Sequence, residues 1–251
     1  MTQGDTSMPD VSARPRLLYQ LASPLHRTAG DKTVRRRLDM LRNWAPSAQV
    51  EIASPEEGPS AIESAADAAM VFPALREAAT GWAKSHDAVL IGCFSDPAVE
   101  ALTEMSGIPV IGPGEAGMLA AVQLGERFSV LSSDPTPPGL RRRIRGIGIE
   151  GSFVSEVMVG GSVADLNRDP DRHLPAIVAQ ARDCVAQGAD VLVLGCFALS
   201  FIPGLPEKLT AAVGVPIVNP VIAGLKAAEA AVLYRAGLPR GVQDTMIRSA
   251  E

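Results

Sequence analysis

The chain has 251 residues, of which 47% are apolar, 20% charged and 4% aromatic, a globular composition with an aliphatic core that excludes intrinsic disorder. Its formal net charge of −5 gives no electrostatic reason to expect a nucleic-acid or anionic-membrane partner. No apolar run reaches the roughly 18 residues that a membrane span needs, and the polar stretch Met1 to Ser12 lacks the apolar segment of a secretion signal.

Residues 1–14 read as a flexible tail. Beyond them, short apolar runs alternate with longer Ala-rich segments. In chain order the first half predicts strand 16–21, helix 31–44, strand 50–53, helix 61–84, strand 88–92, helix 97–106, strand 110–112 and helix 114–124. The second half predicts strand 127–132, helix 137–145, strand 153–157, helix 175–187, strand 191–195, helix 207–213, strand 217–218 and helix 221–236. This alternation implies an α/β fold with mostly parallel sheet. The clusters Arg35-Arg36-Arg37 and Arg141-Arg142-Arg143-Ile144-Arg145 read as solvated helix surface. His86 and His173 read as surface residues at helix ends, and Trp44 and Trp82 as core.

An internal repeat changes the meaning of these elements. Asp87-Ala88-Val89-Leu90-Ile91-Gly92-Cys93-Phe94 is matched by Asp190-Val191-Leu192-Val193-Leu194-Gly195-Cys196-Phe197. Farther on, Gly107-Ile108-Pro109-Val110-Ile111-Gly112-Pro113 is matched by Gly214-Val215-Pro216-Ile217-Val218-Asn219-Pro220. Ala116-Gly117 then pairs with Ala223-Gly224. The offset grows from 103 to 107, which places four extra residues between Phe197 and Gly214, in an expected loop at 198–206. Two pseudo-symmetric lobes, each a mostly parallel sheet flanked by helices, with the active site in the cleft between them, is the expected architecture.

Each Gly-Cys-Phe follows an apolar strand, at the end where open α/β sheets bind ligands. The glycine permits a sharp turn and close approach to a ligand. The cysteine then precedes an expected helix, whose N–H groups and dipole favour a thiolate. In the first copy, Ser95 or Asp96 fits the cap and Pro97 the first helical position. In the second, Ser200 is the only evident capping side chain. A thiolate on one side of a substrate and a thiol on the other could remove a proton beside a carbonyl and return one to the opposite face, inverting that carbon. Cys184 lies mid-helix with no glycine or turn beside it and reads as packing. Without export, all three cysteines are expected as free thiols in a reducing cytoplasm.

Other polar residues leave alternatives open. Asp96 serves as a helix cap or touches substrate, and Glu115 fixes a helix start or reaches across the cleft. Asn219 and His26 are further candidates for substrate contact. No His, Cys and carboxylate spacing resembles a metal site, and the Gly112-Pro113-Gly114 pattern lacks the rest of a dinucleotide fingerprint.

These motifs resemble the aspartate/glutamate/hydantoin racemase superfamily, most closely its hydantoin racemase branch. The resemblance is carried by Gly92-Cys93-Phe94-Ser95-Asp96-Pro97, by the stretch from Pro109 through Gly114-Glu115-Ala116 to Val130, by Gly188 to Cys196, and by Val215 to Val221. It implies a first lobe of 15–113 plus 221–251 and a second of 114–220, with crossings near Pro113 and Pro220. It also implies a two-base racemase or epimerase in which Cys93 and Cys196 are catalytic and no cofactor or metal is used. Phe94, Ser95, Phe197, Ala198, Ser23 and Asn219 would then contact a small substrate, a hydantoin or an amino acid or its derivative. Family members are commonly homo-oligomers. Maleate-type cis–trans isomerases, which use a covalent cysteine, and decarboxylases of the same superfamily are the alternatives. Two departures concern the substrate. The Asn-Pro-Asn-Thr-type turn of close hydantoin racemases is here Leu21-Ala22-Ser23-Pro24-Leu25-His26, and Phe197, Leu199 and Phe201 crowd the second cysteine.

Overall fold

The computed structural model describes residues 14–133 and 139–238. All but the last residue of the expected tail lies outside this range, as do the first two residues of the helix expected at 137–145 and residues 239–251 of the expected first lobe.

The first sheet comes from β1 (Arg16–Leu21), β2 (Gln49–Ala53), β3 (Ala88–Gly92) and β4 (Val110–Ile111). Its connections carry α1 (Leu25–Trp44), α2 (Ala65–Met70), α3 (Phe72–Ser85) and α4 (Val99–Ser106). Helix α5 (Pro113–Leu124) leads to the second sheet, which is built from β5 (Phe128–Ser132), β6 (Phe153–Met158), β7 (Val191–Leu194) and β8 (Ile217–Val218). With it go α6 (Leu140–Gly146), α7 (Val163–Arg168), α8 (Pro170–Ala186), α9 (Phe197–Ser200) and α10 (Leu205–Val213), before α11 (Pro220–Ala236) ends the described chain. The sheet orders are β2-β1-β3-β4 and β6-β5-β7-β8, with every pairing parallel. The repeat thus extends to whole lobes of one topology.

Strand parity divides the core. In the first sheet Leu17, Tyr19, Leu21 and Leu90 face a core shared with Val130, Val191 and Val193 of the second. The alternate residues Leu18, Val89 and Ile91 pack within the first lobe, and Leu192 and Leu194 within the second. This is the two-residue period of strands buried on both faces.

The matched repeat residues hold equivalent posts. Asp87 accepts a hydrogen bond from the Arg16 backbone N–H at 2.8 Å, fastening the start of β1. Asp190 does the same for β5, through the N–H groups of Glu126 and Arg127 at 3.0 and 2.9 Å. Gly107 and Gly214 end α4 and α10 in the left-handed conformation, with φ of 69° and 76°, the glycine cap expected where a Cβ would be strained. Helix α5 seats on the second sheet at Gly117, where a Cβ would come 2.7 Å from Pro220 Cβ and 3.5 Å from Val193. Helix α11 seats on the first at Gly224, where a Cβ would come 2.5 Å from Leu90 Cδ1.

Several elements differ from the sequence expectation. The single helix expected at 61–84 is two, α2 and α3, because Pro73 in the first turn of α3 enforces a new start. Ser64 caps α2 by accepting from the Asp67 N–H at 3.1 Å, and Ser162 caps the unanticipated α7 through Asp165 in the same way. The loop expected at 198–206 holds most of α9 and the first two residues of α10. His86 ends α3 as anticipated but is buried, its Nε2 3.3 Å from Glu51. Trp82 is buried and Trp44 half-buried against the shared core.

Alanine at Gly117 must displace Pro220 or separate the helices, and is expected to cost about 1–3 kcal/mol by overpacking. Alanine at Gly81 of α3, where nothing lies within 4 Å of a new Cβ, should stabilise by up to about 1 kcal/mol. Urea unfolding of both variants reads the contrast.

Candidate active site

Cys93 follows β3 and Cys196 follows β7, the same position in each lobe. The glycine before each is required by the neighbouring strand. A Cβ on Gly92 would sit 2.8 Å from Leu21 Cα, and one on Gly195 would collide with Val130 and lie 2.7 Å from Ser132 Oγ. Neither glycine has the positive φ of a sharp turn, so close strand packing demands them here, in place of the expected turn and approach to a ligand.

Both cysteines line one cavity of about 390 Å³. Of the residues expected to contact substrate, Ser23, Phe94, Phe197 and Ala198 line it as well. Ser95 and Asn219 lie outside the lining and support the two cysteine-bearing turns. Thr28, Thr33 and Arg37 of α1 add polar groups, while Ser60, Ile62 and α7 with Asn167 and Arg168 complete the lining. The Val163 N–H reaches Glu63 Oε1 at 3.4 Å, joining α7 to the segment before α2.

The surroundings of the two sulfurs are unlike. Cys196 is the residue capping α9, in extended backbone with φ −141° and ψ 140°. The N–H groups of Ala198 and Leu199, the Ser133 hydroxyl and the Arg37 charge all lower its pKa. Burial outweighs them, and the thiol is held above its ordinary value. Cys93 is pushed up to about 11 by burial, opposed by the Ser95 N–H and hydroxyl and by Arg143, and reinforced by Asp96. That Ser95 hydroxyl is buried with no fully formed hydrogen bond of its own. No helix starts beside Cys93: α4 begins only at Val99, and Asp96 and Ala98 have φ of 51° and 57°. The helix-terminus argument therefore holds for Cys196 and fails for Cys93.

Asp96 is a cap, but of another helix. Its carboxylate accepts from the Gly114 and Glu115 N–H groups at 2.8 and 2.7 Å, at the start of α5. This contact explains Gly112 and Gly114, since a Cβ at either would press on Asp96 at 2.5 or 2.8 Å. Burial raises the Asp96 carboxyl to about 6 against these bonds and Arg143. On the other side, Asn219 Oδ1 accepts from the Val221 N–H at 3.0 Å and caps α11. Its Nδ2 donates to Ser200 O at 2.9 Å, in the turn after Cys196. Each cysteine turn is thus pinned to the N-terminus of one crossing helix. Glu115 is exposed at the start of α5, and His26 is held by Ser54 at 2.8 Å outside the cavity lining.

Beneath the cavity Tyr19 meets Phe197 and Phe201, with ring centroids 6.0 Å apart in each case. Leu199 and Phe201 belong to the core, so of the three residues expected to crowd Cys196 only Phe197 faces the cavity. Cys184 packs in the second-lobe core. Two arginines expected at the surface are inside. Arg37 is 4% exposed, with its guanidinium 4.5 Å from the Phe201 ring centroid. Arg143 lies 5.6 Å over Phe94 and 3.8 Å from Asp96. Helical spacing held the signal: Arg37 precedes Leu41 by four residues, and Arg143 follows Leu140 by three. Asn167, Thr28 and Thr33 carried no comparable signal. The flanking Arg35, Arg36, Arg141, Arg142 and Arg145 are exposed as expected.

Comparison with known proteins gives this arrangement its class. The Asp/Glu/hydantoin racemase family model matches residues 28–228. A hydantoin racemase of Rhizobium meliloti is 34% identical over 184 residues, covering 72% of this chain and 75% of the relative. One from Pseudomonas sp. (strain NS671) is 30% identical over 188 residues, covering 73% and 74%. The crystal structure of allantoin racemase from Pseudomonas fluorescens superposes with a TM-score of 0.74 at 25% identity, covering 90% of this chain and 97% of that one. The chain belongs to the Asp/Glu/hydantoin racemase family. It is an isomerase of the racemase type, acting on a small molecule.

The raised Cys93 pKa fixes a pH dependence. A thiol kept neutral in the fold and freer to ionise in the unfolded chain contributes stability below its ordinary pKa near 9, which is lost as pH climbs towards about 11. Unfolding free energy should therefore fall more steeply above pH 9 in the wild type than in Cys93→Ala. Asp96→Ala, which strips the cap from α5, should cost about 1–2 kcal/mol in the same assay at pH 7.5.

Proposed function

We propose that the protein is a cofactor-independent racemase or epimerase that inverts an acidic carbon beside a carbonyl, with Cys93 and Cys196 as its two acid–base groups. The observation that carries this is one cavity lined by two cysteines at equivalent strand ends of two lobes. In each direction one cysteine enters as thiolate and the other as thiol. The thiolate takes the proton from carbon, and the electron pair is delocalised onto the adjacent carbonyl. The opposite thiol then gives its proton to the other face of the carbon. The enzyme is left with the two protonation states exchanged, and solvent proton transfer restores them.

Burial works in favour of this scheme. A thiol with a raised pKa is a stronger base once ionised and stays protonated when its turn as acid comes. Local N–H groups, a hydroxyl and the Arg37 charge offset part of the burial at Cys196, yet both cysteines rest as thiols, and the one acting as base gives up its proton before the carbon is deprotonated. The substrate proposed is hydantoin-like or an amino acid derivative, in keeping with the hydantoin and allantoin racemases that this chain resembles. Ser23, Phe94, Phe197 and Ala198 contact it, while Ser95 and Asn219 set the cysteine turns. We further propose a homo-oligomer working in the cytoplasm. Exposed Leu119 and Leu124 on α5 and Leu233 and Tyr234 on the adjacent α11 support the assembly, and three unpaired cysteines support the compartment.

Chiral assay over a panel of 5-substituted hydantoins, allantoin, aspartate and glutamate identifies the substrate. Cys93→Ser and Cys196→Ser should each lose about a thousandfold or more of racemisation, while one exchanges the substrate's α-proton from a single enantiomer and the other from its mirror image. Full racemisation by either variant, or a stable covalent cysteine adduct detected by mass spectrometry, would contradict the scheme.

A further inference from the structure

The cavity contains a cation whose only part in the proton-transfer scheme is its field at Cys196. Arg37 is 4% exposed and lines the cavity from α1. Its Nη2 donates to Asn167 Oδ1 at 3.0 Å, across the cleft on α7. The guanidinium stacks 4.5 Å from the Phe201 ring centroid. Nε is buried without a hydrogen-bond partner.

A buried guanidinium is ordinarily paired, because an isolated charge in a poorly polarisable interior is costly. Arg37 forms no ion pair with a carboxylate among the described residues. The titratable groups around it are Tyr19, Cys196 and a second cation, Arg36. No Asp or Glu is among the described lining residues, which do include a further cation, Arg168 at the rim. Arg168 is paired with Asp165 at 3.4 Å, so the uncompensated charge in the cavity is that of Arg37. Asn167 and the Phe201 ring hold the guanidinium plane, which leaves donors for an incoming group with the planar geometry of a carboxylate.

We propose that Arg37 binds a carboxylate carried by the substrate, so that the preferred substrate is a hydantoin or amino acid derivative bearing an acidic side chain. The inference rests on the racemase reading above and names its substrate class. The reacting carbon sits between the cysteines, and the acidic arm extends towards α1 and α7. Neutral substrates leave the buried charge unpaired and bind more weakly. Positioned so, Arg37 acts on acidic substrates through binding: its loss should raise their KM beyond any change in kcat that all substrates share through Cys196.

The test compares hydantoins with carboxymethyl or carboxyethyl groups at carbon 5 against neutral 5-isobutyl and 5-benzyl hydantoins. For the wild type, kcat/KM should be about ten- to a hundredfold higher for the acidic pair, a result that needs no variant to fold. Arg37→Gln should lower the acidic-to-neutral ratio of kcat/KM by a similar factor, over and above any change common to all substrates through Cys196, with Arg37→Lys restoring part of the preference. Equal kcat/KM for acidic and neutral hydantoins in the wild type would overturn the proposal and leave the racemase reading intact. An equal loss of kcat/KM for acidic and neutral substrates in Arg37→Gln would also overturn it, leaving Arg37 only its effect on Cys196 or on the reaction's own anion. If neither group, nor allantoin, aspartate or glutamate, exchanges its α-proton with solvent, the racemase reading falls and this proposal with it.

Discussion

The contact between α5 and α11 joins the two lobes. Each helix starts at a proline after the last strand of one sheet and lies against the other sheet at a glycine, Gly117 or Gly224. With no side chain at those points, the helices approach closely enough for one apolar core to serve both sheets. The same two helices present the N–H groups and the capping residue that fasten the cysteine turns, through Asp96 on one side and Asn219 on the other. The geometry of the cavity therefore depends on that packing: a shift of either helix moves a thiol.

Burial governs the chemistry in the same way. Both sulfurs lie within apolar surroundings that oppose ionisation, and local donors only partly offset this. The offset is uneven. Cys196 has two backbone N–H groups, a hydroxyl and a buried guanidinium, while Cys93 has the Ser95 N–H and hydroxyl, Arg143, and an opposing carboxyl in Asp96. Symmetry places the thiols in equivalent positions, and their turns surround them with different groups.

Much of this was legible in the sequence because fully buried parallel strands read as uninterrupted apolar runs, as in β3 (Ala88–Gly92) and β7 (Val191–Leu194), while the edge strands β2 and β6 mix polar residues with apolar ones. The repeat showed more than the cysteines: Asp87 and Asp190, Gly107 and Gly214, and Gly117 and Gly224 recur because each lobe needs the same strand clasp, helix stop and close approach. Other features depend on partners remote in the chain. Asp96 caps a helix that starts 17 residues later, and Asn219 reaches back to Ser200. Arg37 was hidden among arginines that are exposed, although its spacing from Leu41 places it on the buried face. The single turn of α9 is too short to show any periodicity.

The most direct test of two thiols acting from opposite faces uses the unmodified enzyme. Each enantiomer of an accepted substrate is incubated in deuterium oxide, and substrate and product are analysed after a small fraction has reacted. Two separate bases place solvent deuterium in the product and leave the recovered substrate protiated, in both directions. Deuterium entering the recovered substrate as fast as product forms, from either enantiomer, would mean that one group handles both faces, and would contradict the account.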